Sequence, residues 1–248
     1  MKRTGLRLFS VLFAVGVLLL GTSCASAGRD ALLYDIRPIA LVMVVSNVDI
    51  NWTTGEPANP NLVGASVRRE LRANPDSAIL STAEELIGTA ERLFRDSMAA
   101  SGGLIILTDR DTVFNSRAYQ EAELNRRRMA RGHALPAGYR LIDPRNRDFP
   151  QALAAETGIQ RTMFLEFTFN KVMRSGFGRT GTGAAELDMR VVILNDEGRT
   201  LYSRTFSMGS RDTLSVSNGV FSQSALMALF ESAIIDASFE FLYHLEGI

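Results

Sequence analysis

The chain has a single cysteine, Cys24, in 248 residues, which excludes an intramolecular disulfide framework and any cysteine-rich zinc or iron–sulfur centre. Histidine is almost as scarce. His133 and His244 stand far apart in the chain, neither beside the cysteine nor beside a second histidine, so metal ligation is not expected. The H-E-x-x-H and G-x-S-x-G patterns are missing, which removes the commonest motif-bearing routes to metallo- and serine hydrolysis. An excess of either charge is missing too: Lys+Arg and Asp+Glu are both 27, with 46% hydrophobic and 22% charged residues. That balance excludes a disordered tail and a strongly basic nucleic-acid binder. No apolar run reaches the roughly 20 residues that cross a bilayer as a helix. No long Pro/Ser/Gly linker divides the chain.

What is present begins with a leader. Lys2, Arg3 and Arg7 precede Leu8–Leu20, a run without charge, which the small residues Gly21, Thr22 and Ser23 follow. A basic start, a short apolar stretch and small residues at its end predict a signal peptide over residues 1–23. Cys24 stands directly after it. The stretch Leu20-Gly21-Thr22-Ser23-Cys24 resembles the lipobox of bacterial lipoproteins, with Leu four rather than three positions ahead of the cysteine, a looseness similar to that of spirochaetal lipoproteins. The resemblance implies cleavage before Cys24 and acylation of Cys24, fixing the protein to a membrane by fatty acid such as palmitate. Ala25 implies, by the same resemblance, the outer membrane, with the domain facing the periplasm. Ordinary secretion, with cleavage near Ala25 or Ala27, is the alternative. Either way three basic residues leave with the leader, and Lys171 becomes the one lysine of a mildly acidic exported chain.

Residues 24–37 read as a lipidated tether and 38–248 as a single α/β domain. Ile39–Val45 is continuously apolar and β-branched, as in a strand buried on both faces. Asn47–Asn61, with Gly55, Pro57 and Pro60, reads as a long loop anchored by Trp52. Ser77–Ala100 carries apolar residues at helical spacing, with Ser81 and Glu84 placed as a capping box and Gly102-Gly103 as the stop. Leu104–Thr108 predicts a second buried strand, which completes a strand–helix–strand unit with parallel pairing. Tyr119–Arg131 predicts an exposed polar helix, His133–Arg147 an irregular segment, and Asp148 the cap of a short helix, Pro150–Thr157, closed by Gly158. The period then changes to two. Met163–Asn170, Glu186–Ile193 and Thr200–Met208 predict a three-strand antiparallel meander with a turn at Asn195–Gly198, and Gln223–Leu245 a closing helix.

The expected fold is therefore α/β: a mixed sheet with an N-terminal strand–helix–strand unit, a C-terminal meander and a closing C-terminal helix. With Cys24, the IALVMVV strand, the Ala155-Glu156-Thr157-Gly158 turn and the Asp196-Glu197-Gly198 hairpin, the chain resembles the α/β lipoproteins of the curli-secretion and penicillin-binding-protein-activator group. The resemblance is one of element order; it implies a tethered periplasmic domain and carries over no functional residue except Cys24.

Several residue groups bear on chemistry. Gly176-Phe177-Gly178-Arg179-Thr180-Gly181 spells G-x-G-x-x-G, but a strand and not a helix follows, so a flexible hairpin tip is expected rather than a dinucleotide site. No cofactor is implied. Asp109-Arg110-Asp111 ends the LIILT segment, where two acids either share a hard cation or cap the next turn with Arg110 as an exposed counter-charge. Arg126, Arg127, Arg128 and Arg131, with Arg117, Arg140, Arg145 and Arg147 around them, are the largest local excess of charge. They read as a contact for anionic lipid or cell-wall polymer, or as a solvated helix face. Phe164, Phe167, Phe169, Phe206, Phe230, Phe239 and Phe241 line a lipid cavity or fill a core. His244 is expected to meet the carbonyls that end the last helix. The resulting expectation is a non-enzymatic envelope lipoprotein that binds an envelope protein or cell-wall partner and no nucleic acid. A lipid carrier, or a hydrolase with a carboxylate pair, are the alternatives.

Overall fold

The computed structural model describes residues 38–54, 79–125, 132–177 and 180–246. In it the apolar run becomes strand β1 (Ala40–Asn47), buried to both sides. Its register against the later strand β4 (Arg161–Phe177) skips a residue between Leu41 and Met43. This bulge turns Leu41 and Val44 to one core and Val42, Met43 and Val45 to the other, so the run is apolar at every position instead of alternating.

β4, β5 (Thr180–Asn195) and β6 (Thr200–Gly209) form the expected antiparallel meander. At the β5–β6 turn Asn195 Oδ1 accepts from the N–H groups of Glu197 at 3.1 Å and Arg199 at 2.8 Å. The seven-stranded sheet runs β3-β1-β4-β5-β6, where β3 is His133–Ala134; β2 (Asn51–Thr54) adds to β4, and β7 (Leu214–Val216) to β5. β1 and β2 pair parallel with β4 and the other pairs are antiparallel, so the sheet is mixed as expected.

Two long helices cover one face. α1 (Ile79–Ala100) buries Leu86, Ile87, Ala90, Phe94 and Met98 there. Gly102 and Gly103, at φ 69° and 94°, take the left-handed conformation that ends it. The closing helix, named α5 (Gln223–Glu246) because three short helices precede it, buries Leu226, Phe230, Ile234, Phe241 and Leu245. Phe94 and Phe241 stack at 6.1 Å between the two. On the other face α2 (Arg110–Phe114), α3 (Arg117–Glu121) and α4 (Asp148–Thr157) set Val113, Tyr119, Phe149 and Leu153 over β1 and the near ends of β4 and β5. Beyond them that face meets solvent, which explains the exposed Thr168, Arg190, Ser203 and Thr205.

The structure departs from the sequence reading at specific places. Asn51–Thr54, expected in a loop, is a strand: β2 continues along β4 in parallel where β1 stops. Asn47 bridges the gap, its Nδ2 donating to the Phe169 carbonyl at 2.9 Å while its Oδ1 accepts from the Phe169 N–H at 2.8 Å. A side-chain amide replaces one peptide of the ladder, so a polar stretch stays in the sheet. Leu104–Thr108 pairs parallel with β1 as expected, but through one bridge, Ile39 to Leu107. The extended segment is short because Asp109 turns the chain into α2, and Ile106 is 43% exposed rather than buried. Ser81 lies inside α1 and so does not start it. Of the helix expected at Tyr119–Arg131, the described part is α3, which ends at Glu121, and residues 122–125 are not helical, while 126–131 lie outside the described residues; Tyr119 is fully buried where an exposed face was expected. α4 begins at Asp148 without a side-chain cap, whereas its end at Gly158, φ 76°, is as expected.

Candidate functional site

Cys24 and the arginines Arg126, Arg127, Arg128 and Arg131 lie outside the described residues. The chain on either side of the arginines is described, and both ends are pinned. On one side the Asn125 N–H donates to the Leu141 carbonyl at 2.8 Å beside the Leu124–Ile142 bridge. On the other, His133 and Ala134 pair with Asn47 and Ser46 at the carboxyl end of β1. The arginine-rich stretch is thus flanked by the Leu124–Ile142 bridge on one side and by β3, at one edge of the sheet, on the other.

The elements that hold this edge are tied by charged and phenolic groups. The Glu156 carboxylate, on α4, accepts from the N–H groups of Arg117 at 2.8 Å and Ala118 at 2.9 Å, capping the start of α3. Those backbone donors, Ala118 first, hold its carboxyl below the ordinary range. Arg140 donates to the carbonyls of Tyr119 and Gln120 and so satisfies the other end of α3. Tyr119 stacks on Phe114 at 5.1 Å, and its hydroxyl accepts from the Arg140 N–H at 2.9 Å. Burial pushes this phenol up to about 12. Arg117 pairs with Glu121 at 2.8 Å. Two of the flanking arginines thus serve α3.

The densest polar cluster was not legible as such. Glu91, 4% exposed on the inner face of α1, accepts from Arg95 Nε at 2.5 Å and from the Tyr139 hydroxyl at 2.8 Å. Arg95 also donates to Tyr139 and to the Thr108 carbonyl, and the Arg110 guanidinium lies over the rings of Phe114 and Tyr139 with one nitrogen 3.7 Å from Glu91. Burial drives the Tyr139 phenol far above its ordinary value, so it stays a neutral donor. The cluster braces α1 against the segments 104–110 and 135–142. One signal pointed to it: Glu91 falls four residues after Ile87 on the buried stripe, with Arg95 four residues further on.

The other candidates resolve individually. Asp109 Oδ1 accepts from the Asp111 N–H at 3.0 Å, the capping role weighed for it. Arg110 is not simply an exposed counter-charge, since it turns inward onto Tyr139. His133 Nδ1 lies 3.2 Å from the Ser46 carbonyl, and His244 Nδ1 3.1 Å from the Tyr202 hydroxyl. His244 thus makes a side-chain bond to β6. The seven phenylalanines do not line one space. Phe164 faces the short helices and Phe239 is 39% exposed, while Phe169 and Phe230 pack at 5.2 Å and Phe206 and Phe241 at 5.9 Å within the core under α1 and α5. Lys171, only 2% exposed, places its ammonium 5.3 Å from the Trp52 ring and 5.2 Å from that of Phe221.

In the G-x-G-x-x-G segment, Gly176 and Gly181 are cross-strand partners in the β4–β5 hairpin. A Cβ on Gly176 would stand 2.2 Å from the Thr180 carbonyl oxygen, and one on Gly181 2.0 Å from that of Ser175. The glycines permit the two backbones to touch, and Gly176 adopts φ 130°. Gly181→Ala is expected to unpair the tip and cost about 1–3 kcal/mol in urea denaturation. An unchanged midpoint would remove the steric reading.

Among the described residues no helix is long and apolar enough to cross a membrane, and no three His, Cys, Asp or Glu side chains come together to hold a metal ion. No protein-family model matches the chain, and no curated protein matches it. Among solved structures it is similar to the LpoB C-terminal domain from Salmonella enterica, with 12% identity, a TM-score of 0.23, and coverage of 75% of this chain and 97% of that one. The functional reading rests on the residues themselves.

Proposed function

We propose that the chain is an envelope lipoprotein, held at the outer membrane by acylated Cys24, whose domain 38–248 faces the periplasm and binds an envelope protein or cell-wall polymer without catalysing a reaction. The observation that carries this reading is Cys24 itself, placed directly behind a basic, apolar leader and a short way ahead of Ile39, the first fully buried residue of the sheet. Residues 25–37 span at most about 45 Å when extended, enough to hold a water-facing domain clear of the bilayer. The polar groups that gather most closely, around Glu91, Arg95 and Tyr139, are bonded to one another and act as a brace. Crosslinking in living cells tests the binding role: a specific envelope component joined to the anchored protein is expected. Turnover of cell-wall or ester substrates by the purified protein, lost in Asp109→Asn or Asp111→Asn, would overturn the non-enzymatic reading.

Arg126, Arg127, Arg128 and Arg131 are assigned to contact with an anionic surface. Each arginine near such a surface contributes about 1 kcal/mol, so replacing all four by Gln is expected to weaken binding to anionic vesicles by up to roughly a thousandfold at low salt. Co-sedimentation with the non-acylated protein measures it. Equal binding by parent and variant would return the four residues to an ordinary solvated surface.

A further inference from the structure

β6 is a long strand with a ladder on one side only: it pairs with β5, and among the described residues no other strand adds to it. The direction of its free peptide groups follows from the register. The Ser210 N–H donates to the Ala185 carbonyl at 2.9 Å, and the pairing continues through Leu187 with Met208, Met189 with Phe206 and Val191 with Arg204. Residues 204, 206 and 208 therefore turn their peptide groups toward β5, and Ser203, Thr205 and Ser207 turn theirs outward. The side chains of those three are exposed and small. β6 contains neither proline nor lysine, and its one register shift against β5 lies at Ile193/Leu194, away from Ser203–Ser207. An edge of this length without such guards is a template for another strand.

We infer that this edge is an interface between two copies of the chain, paired antiparallel about a two-fold axis at Thr205. What selects a second copy is that the edge complements itself. With Thr205 opposite Thr205 of the second copy, Ser203 meets Ser207 and Ser207 meets Ser203, so the outward peptides face each other in hydrogen-bonded register and the facing side chains are all small and hydroxylated. The same register sets Arg204 opposite Phe206 of the second copy. Arg204 lies 5.6 Å over its own, nearly buried Phe206 ring, and no like charges lie directly opposite. Shifting the register to bring residue 204 opposite its own counterpart sets arginine against arginine, which disfavours that alternative. The paired sheets form one continuous layer, an isologous contact that closes at two subunits.

Thr205→Cys in the full chain tests this directly. Facing residues in such a pair have Cα atoms about 5.5 Å apart, within disulfide reach, and the only other cysteine is Cys24. Mild oxidation of membranes is expected to give a disulfide-linked dimer, while Thr213→Cys, exposed but off the strand, gives none. Thr205→Pro removes an outward N–H that its own sheet does not use. It is expected to weaken dimerisation of the detergent-solubilised chain at least about tenfold by light scattering, with an unchanged circular dichroism spectrum. Should that variant fail to fold, the cysteine experiment decides alone. A monomeric mass at up to about 100 μM, or equal crosslinking at positions 205 and 213, overturns the inference.

Discussion

Replacing Cys24 by serine is expected to abolish incorporation of labelled fatty acid and to move the protein from the membrane pellet to the soluble fraction. The size of the effect follows from the anchor. Acyl chains contribute about 0.8 kcal/mol per buried CH₂; one chain holds a protein only reversibly, whereas two or more make attachment effectively permanent. Among the described residues no helix is long and apolar enough to cross a bilayer. The apolar part of the leader, Leu8–Leu20, is short for a span if it stays uncut. A second variant removes even that ambiguity: residues 1–24 exchanged for the leader of a freely secreted protein should give a fully soluble periplasmic chain. Carbonate extraction of membranes measures both. Retention of the second variant in the pellet would show that the protein part itself holds the bilayer.

Phe241→Ala is expected to lower stability by about 3–5 kcal/mol, the range for emptying a buried aromatic site. Phe241 is fully buried and is the meeting point of three elements: it stacks on Phe94 of α1 and meets the edges of Tyr202 at 5.6 Å and Phe206 at 5.9 Å on β6. Truncation leaves a void that α1, α5 and the sheet cannot all close at once. For a domain of this size that corresponds to a fall in Tm of roughly 10 °C. Phe239→Ala, two residues away on the outer side of α5, should change stability by no more than about 0.5 kcal/mol. Urea denaturation of the two variants side by side measures the contrast. Equal losses would mean that α5 does not sit on the sheet as described.

That contrast also marks what the sequence alone could and could not reveal. The stripe on α5 was legible at Leu226, Phe230 and Phe241, because burial there follows the helical period; Phe239 belonged to the aromatic tally but not to the stripe. The meander was legible because, beyond the ends of β4 and β5 that the short helices cover, one face of each strand is buried and the other wet. β2 was not, since the decisive interaction is the Asn47 side chain filling a gap in the ladder, a contact across 122 positions. The exposure expected of Tyr119 was wrong for a related reason. Tyr119 is buried by Phe114, Phe149 and the loop at Gly138–Arg140, none of which local periodicity reports. The Glu91 brace stayed hidden because a carboxylate on an apolar stripe is legible only once its partner Tyr139, 48 positions away, is known. The strand that follows G-x-G-x-x-G was legible, and the structure supplies the steric reason for two of its glycines.

The proposed anchoring is tested most directly by the intact mass of the mature protein extracted from membranes, with its N-terminal peptide sequenced by fragmentation. A chain that begins at Cys24 and carries the added mass of several acyl groups on that residue is the expected result. A chain that begins at Ala25 or Ala27, or one with an unmodified cysteine, would contradict it.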